Sequence, residues 1–233
     1  MKILITGAKG FVGKNLAATL NTIKDGKNKT TKLPQDLVIC EFDVDTDKSL
    51  LDEYCKDCDF VVNLAGVNRP QNTDEFMEGN FGFVSELLNT LKKYNNTCPV
   101  LLSSSIQATL QNPYGQSKKA GENLFFQYAE ETGAKVLVYR FPNVFGKWCK
   151  PNYNSAVATF CHNIANDLPI QVNDPAVQLE LLYIDDLVDE MLDALEGREH
   201  RCEFDGIDTV LCDDGKFCAA PITHKVTLGE IVS

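Results

Sequence analysis

Met1–Thr6 is a short apolar run of the kind that forms a strand buried on both faces. It passes with no spacer into Gly7-Ala-Lys-Gly10-Phe-Val-Gly13 and then into a helical repeat at Leu16, Ala17 and Leu20. Strand, glycine turn and helix in that order leave few architectures open. Gly7 lets the chain turn tightly off the strand, Gly10 lets backbone N–H groups come close to an anion, and Gly13 lets the helix lie against the sheet. The helix start then presents unpaired donors and a partial positive charge, which suits a pyrophosphate. A glycine turn alone can also be no more than a turn, so the remainder of the chain has to decide.

With 233 residues there is enough chain for one α/β domain with a full core. The net charge of −11 comes from interspersed acids and bases, and the one basic cluster, Lys24 to Lys32, reads as a solvated Lys/Asn/Thr loop. A nucleic-acid partner is therefore not expected. Met1 begins a core strand, which argues against a signal peptide, and no apolar run approaches the ~18 residues of a membrane span. The nine cysteines are odd in number and scattered, with Cys40, Cys98 and Cys161 in apolar settings, so reduced thiols in a cytoplasmic protein are expected. Cys55-x-x-Cys58 has no second pair at finger spacing, and no metal is expected.

Along the chain, residues 25–35 read as a surface loop, 37–43 as a strand and 48–56 as a helix. Phe60-Val-Val-Asn-Leu-Ala-Gly66 is a buried strand ending in a small-residue turn. Gly79-Asn80-Phe-Gly82 is expected to open a helix that runs to about Tyr94. Pro99 to Ser105 is a strand tipped by Ser103, Ser104 and Ser105, and Asn112-Pro113-Tyr114 opens a long helix that ends at Gly133. Strand 136–146 follows, then a loop over 147–155, a helix over 156–165 and a short strand over 170–172. Leu181 to Asp186 leads into another helix. Residues 200–220 show mixed turn signals and no clear pattern. Thr227 and Glu230 form a capping box for a last helix that is begun and not completed, so a longer protein is expected.

Tyr114 and Lys118 are four apart on one helix and so project from one face. An ammonium near the phenol favours the phenolate and is expected to lower the tyrosine from its free value of about 10. A serine hydroxyl at the preceding strand end could hold a carbonyl while the phenol passes it a proton.

Together these segments resemble the short-chain dehydrogenase/reductase superfamily, in particular its extended, nucleotide-sugar-modifying branch. The resemblance rests on Gly7-x-x-Gly10-x-x-Gly13, Leu64-Ala65-Gly66, Gly79-Asn80-Phe-Gly82, Tyr114-x-x-x-Lys118, Arg140-x-x-Asn143-Val-x-Gly146 and Ile184-Asp185-Asp186. The fold it implies is α/β, a Rossmann-type doubly wound parallel sheet with a small C-terminal substrate-binding lobe: residues 1–146 bind NAD(P), and 147–233 form a lobe interleaved with the sheet. Only one strand fits between the first helix and Phe60 where such a fold ordinarily has two. Asp43, 21 residues before Leu64, resembles the adenine-side acid of the family rather than its ribose acid. NAD and NADP both stay open, since an acid near the ribose repels a 2′-phosphate while Lys9 attracts one.

The resemblance implies that Ser105, Tyr114 and Lys118 are catalytic, with Ser104 as the substitute serine. It implies cofactor contacts at Gly7, Lys9, Gly10, Phe11, Val12, Gly13, Asp43, Leu64, Ala65, Gly66, Asn80, Ser103, Tyr114, Lys118 and Pro142. Asn80 is either a plain cap or a buried side chain that steadies Lys118. Substrate contacts are implied at Asn68, Arg69, Ser105, Ile106, Gln107, Asn143, Lys147, Trp148 and Asn154, and Asp185 and Asp186 are implied as helix caps. The runs NLAGVNRP, LLSSSIQAT, FGKWCKPNYNS and KVTLGEIV narrow the resemblance to the capsular-polysaccharide reductases of the L-fucosamine nucleotide pathway, in which a cupin domain follows. That implies NAD(P)H-dependent reduction of the C4 ketone of a UDP-2-acetamido-2,6-dideoxy-hexos-4-ulose. A 4-epimerase and a non-catalytic NAD(P)-binding scaffold are the alternatives. Ile106 and Gln107 place no acid for a dehydratase. A UDP-sugar partner and a homodimer or homo-oligomer are also expected.

Overall fold

The computed structural model describes residues 1–67, 72 and 74–233. β1 (Lys2–Thr6) turns into α1 (Phe11–Lys24), followed by β2 (Val38–Phe42), α2 (Ser49–Cys55) and β3 (Phe60–Asn63). Next come α3 (Asp74–Met77), a π-helical turn (Glu78–Gly82), α4 (Phe83–Lys93), β4 (Val100–Ser105), a 3-10 turn (Ile106–Thr109), α5 (Pro113–Thr132), β5 (Val136–Phe141) and β6 (Asn143–Phe145). The remainder is α6 (Ala156–Ala165), β7 (Gln178–Tyr183), α7 (Ile184–Leu195), β8 (Arg201–Asp205), β9 (Asp208–Leu211), β10 (Phe217–Cys218), β11 (His224–Thr227) and α8 (Leu228–Val232).

Among the described residues, eight strands form one sheet in the order β2-β1-β3-β4-β5-β10-β8-β9, and β11-β7-β6 form a second. The pairs from β2 through β10 are parallel, and β8 and β9 add antiparallel strands at the edge. Chain direction across the sheet reverses at β1, which has β2 on one side and β3 on the other. In such sheets the crevice beyond the carboxyl ends at that reversal is where a ligand binds.

The parallel strands are apolar on both faces because helices cover both. Ile3, Ile5, Val62, Leu101 and Leu137 face a core shared with Leu16 and Leu20 of α1 and Leu187 and Met191 of α7. The intervening Leu4, Val61, Val100, Leu102 and Val138 face Leu51 of α2, Leu87 and Leu91 of α4, and Phe125 and Tyr128 of α5. The period of two in each strand thus divides one sheet between two helix layers. Removing the side chain of a fully buried residue such as Leu20 or Leu87 costs about 2–5 kcal/mol.

Several expectations change. Gly79–Gly82 does not open a helix: α3 has begun at Asp74, and the four residues lie in the π turn. Gly79 makes that turn possible, since a Cβ there would come within 2.3 Å of Val67. Residues 170–172 form no strand, and the strand of this region is β7, already paired with β6 and β11. Asp185 and Asp186 are not caps: Tyr183 occupies the N-cap without a side-chain bond, and the two acids act on the helix start through charge in its first turn. Residues 200–220, without a readable pattern, supply β8, β9 and β10 to the main sheet, with Gly206 at φ +63 in the tight turn between β8 and β9. β6 pairs with β7 across residue 146, and β8–β10 join the large sheet.

The capping box at Thr227 and Glu230 forms at the start of α8. All nine cysteines are free thiols, and the sulfurs of Cys58 and Cys98 lie 3.8 Å apart. Among the described residues no helix is long and apolar enough to cross a membrane.

Candidate active site

Backbone builds the first wall of the crevice. Gly7 has φ +68, and a Cβ there would lie 2.7 Å from the Ala65 nitrogen, so the end of β1 passes against Leu64 and Ala65 with no room for a side chain. Gly13 is tighter: its Cβ would meet the Gly7 carbonyl at 2.4 Å and the Ala8 Cα at 2.7 Å. These contacts hold the first turn of α1 directly over the end of β1. Gly10 is the N-cap and no side chain caps the helix, so its first N–H groups face the crevice with their partial positive charge. Beside it, Asp43 accepts a hydrogen bond from the Lys9 N–H at 2.7 Å, and the Lys9 ammonium pairs with Asp45. β2 is the direct neighbour of β1, so Asp43 follows the end of the strand beside the glycine turn.

Side chains build the second wall. Asn112 caps α5 by accepting from the Gly115 N–H at 2.7 Å, and Pro113 occupies the first turn. Gly115 permits close docking on the 3-10 turn, since a Cβ would come within 2.4 Å of the Gln107 carbonyl. This fixes the face that carries Tyr114 and Lys118. Ser105 ends β4 and accepts from the Gln107 N–H at 3.2 Å, and Lys118 donates to the Ser103 carbonyl at 3.4 Å. The Lys118 ammonium lies 5.8 Å from the centroid of the Tyr114 ring, whose other neighbour is Phe76, edge-on at 5.6 Å.

The expected lowering of Tyr114 does not occur. Burial raises the phenol above its ordinary value, a hydrogen bond with Ser105 opposes this, and Tyr153 adds to the rise. Lys118 is brought down to about 8 by burial, against the pull of Glu122. Around neutral pH the site therefore holds a protonated phenol beside an ammonium. Asn80 is buried, and its amide binds the Val67 N–H and carbonyl at 2.9 and 3.0 Å and Ser117 at 3.0 Å. It ties the end of β3 to the residue before Lys118.

The two walls enclose a cleft of about 850 Å³. Of the residues predicted from sequence, Gly7, Lys9, Gly10, Phe11, Val12, Gly13, Leu64, Gly66, Ser103, Ser105, Gln107, Tyr114, Lys118, Pro142, Asn143, Trp148 and Asn154 line it. Asp43, Ala65, Asn80, Ile106 and Lys147 are not among the lining residues, and Asn68 and Arg69 fall outside the described residues. Lys147 instead stacks its ammonium 3.9 Å over the Trp148 ring. The rim at 146–154 is held in costly backbone: Trp148 and Asn152 have φ of +67 and +54.

Residues 3–203 match the family described as NAD dependent epimerase/dehydratase. The chain belongs to that family. It is 42% identical over 198 residues to a UDP-2-acetamido-2,6-beta-L-arabino-hexul-4-ose reductase of Pseudomonas aeruginosa, a match that covers 85% of this chain and 50% of that protein. Its fold superimposes on the capsular polysaccharide assembling protein CapF of Staphylococcus aureus with a TM-score of 0.81 and 46% identity, covering 100% of this chain and 57% of that one. A UDP-glucuronic acid 4-epimerase of Bacillus cereus in complex with NAD shares the fold at TM-score 0.74 and 20% identity, over 100% of this chain and 80% of that one. The chain spans about half the length of the curated relatives it matches.

Lys14, Phe76, Lys150 and Tyr153, which the sequence does not mark as site residues, also line the cleft. Lys150 and Tyr153 lie in the FGKWCKPNYNS run, whose aromatic and basic content was the available signal. Phe76 and Lys14 carried none, because each looks like an ordinary member of a helix.

Proposed function

We propose that this chain is a nucleotide-sugar 4-ketoreductase of the NAD(P)-dependent type. It would reduce the C4 ketone of a UDP-2-acetamido-2,6-dideoxy-hexos-4-ulose to the alcohol, for a surface-polysaccharide precursor. One observation carries the reading: the Tyr114 phenol, the Lys118 ammonium and the Ser105 hydroxyl converge on a single cleft whose opposite wall is the glycine turn. The Pseudomonas relative named for reduction of such a ketosugar supports the substrate class.

The glycine wall fits a dinucleotide, since the crowding at Gly7 and Gly13 leaves a bare helix start and no side chain in front of it. The dinucleotide supplies the hydride. Everything else falls to the protein. Ser105 orients the carbonyl oxygen, and Tyr114 donates its proton as that oxygen gains charge. The raised pKa keeps the phenol protonated until that moment, and the Lys118 ammonium stabilises the phenolate left behind.

The test is oxidation of NADH or NADPH by the purified chain supplied with the UDP-4-ketosugar, followed by loss of nicotinamide absorbance. Stoichiometric oxidation and formation of the C4 alcohol are expected. Conversion between C4 epimers of a UDP-sugar with no net oxidation would replace the reading by an epimerase, and no turnover with either cofactor would end it.

A further inference from the structure

Glu122 stands on α5 one turn beyond Lys118 and two beyond Tyr114, on the face turned towards the sheet, and its side chain has no solvent exposure. Three elements meet at its carboxylate. Ser104 of β4 donates at 2.7 Å, Arg140 of β5 donates twice, from Nε at 2.8 Å and Nη2 at 2.7 Å, and Lys119 of the same helix approaches at 3.4 Å. Arg140 is itself buried, with its guanidinium 4.2 Å from the Phe217 ring and 5.1 Å from that of Phe204. Stability is a poor reason for such a pair, because the desolvation of two buried charges roughly cancels their attraction and apolar replacements are often neutral or better. Its surroundings suggest a different use. Ser104 lies between Ser103, whose carbonyl holds Lys118, and Ser105 at the cleft, and Arg140 comes just before Phe141, Pro142 and Asn143, which line it.

We propose that the Glu122–Arg140 pair is a positioning device for the reaction: it locks the serine end of β4 to the catalytic helix and balances local charge so that Lys118 stays an ammonium where the enzyme works. The inference rests on the function proposed above. Among the described residues, the charged and titratable groups placed around Lys118 are Tyr114, Lys119 and Glu122 on its own helix, Arg140 on β5, and Tyr153 on the loop facing Tyr114. Burial opposes the ammonium and Glu122 favours it; Arg140, bound to that same carboxylate, carries a charge of the same sign as Lys118 and so works against the ammonium. The two members of the pair therefore act on Lys118 with opposite signs.

Opposite signs give the test. In the full chain labelled with 13C at lysine Cε, the NMR titration of Lys118 is compared in wild type, Glu122→Gln and Arg140→Gln. Glu122→Gln is expected to move the midpoint down by about one pH unit and Arg140→Gln to move it up by a similar amount. The alkaline limb of kcat should follow in each, with KM for the ketosugar little changed. Glu122→Asp, which keeps the charge and withdraws the carboxylate by one methylene, should leave the midpoint in place and lower kcat several-fold.

Should a Gln variant not fold, the double variant Glu122→Gln/Arg140→Gln carries the test: a midpoint back within about 0.3 unit of wild type supports the balance, and one displaced further overturns it. Midpoints that stay put in both single variants, or move in the same direction, also overturn it and leave the pair a structural bridge. If wild type reduces no ketosugar, the proposed function falls, while the NMR midpoints still decide whether the pair sets the charge on Lys118.

Discussion

The two walls of the cleft are made of different material, and they tolerate change differently. The β1–α1 wall is backbone, shaped by what Gly7 and Gly13 lack, while the β4–α5 wall is side chains, held by a buried polar network behind Ser103 to Ser105. A backbone wall fails when an atom is added. A side-chain wall fails when one is removed, and it can fail in chemistry while the fold stands.

Tyr114→Phe should separate the walls most sharply. It removes the proton donor, so ketosugar reduction should fall about a thousandfold, or about 4 kcal/mol of barrier, while cofactor affinity measured by fluorescence stays within twofold. Parallel loss of both would mean that the walls are not independent. Gly13→Ala is the converse. Its Cβ would sit 2.4 Å from the Gly7 carbonyl, so α1 must move, with about 2–3 kcal/mol of lost stability in denaturant and weakened cofactor binding together.

Lys118→Met probes the cost of the second wall. Reduction should collapse, yet the protein should gain about 1–2 kcal/mol at neutral pH because an enclosed ammonium is gone. The sign follows from the lysine being brought down to about 8 from its ordinary 10.5. Between those values the unfolded chain binds the proton and the folded one does not, so wild-type stability should rise as pH climbs through that window, and the variant should lack the rise. A variant less stable than wild type at neutral pH would contradict this.

At the outer end of the backbone wall, Asp43 and Asp45 flank Lys9 and occupy its N–H and its ammonium. A 2′-phosphate brought there would meet carboxylates, so NADH should bind at least tenfold more tightly than NADPH, about 1.4 kcal/mol, and Asp43→Arg should narrow or reverse the ratio. Smallest is Thr227→Ala, far from either wall. Loss of the capping box of α8 should cost about 1 kcal/mol or less and leave reduction unchanged.

Legibility in the sequence followed the same division. The glycine turn and the long helix from Asn112 were readable because their signals are local: a glycine where a Cβ would clash, and a cap, a proline and a left-handed Gly133 in fixed order. Tyr114, Lys118 and the serine tip could be named because their spacing is chemical. What could not be read depends on distant partners. β10 is two residues long and exists only because β5 and β8 flank it, and β9, Asp-Thr-Val-Leu, carries no regular alternation. The π turn at Glu78–Gly82 follows from where Val67 runs, which no periodicity encodes. The ionisation of Tyr114 departs from expectation for the same reason: spacing places the ammonium nearby but does not report how deeply the phenol is enclosed.

Arg140 stacks on Phe204 and Phe217, which come from the last strands to enter the sheet. A ribosome releases Tyr114 and Lys118 well before either aromatic ring, so for that interval a nascent chain carries every reacting group without the lid over its innermost charge pair. Maturation of the enzyme would then be timed by the arrival of β8 and β10, whose rings line no part of the cleft, and a truncation before residue 217 should give a chain that has its chemistry spelled out yet never sets.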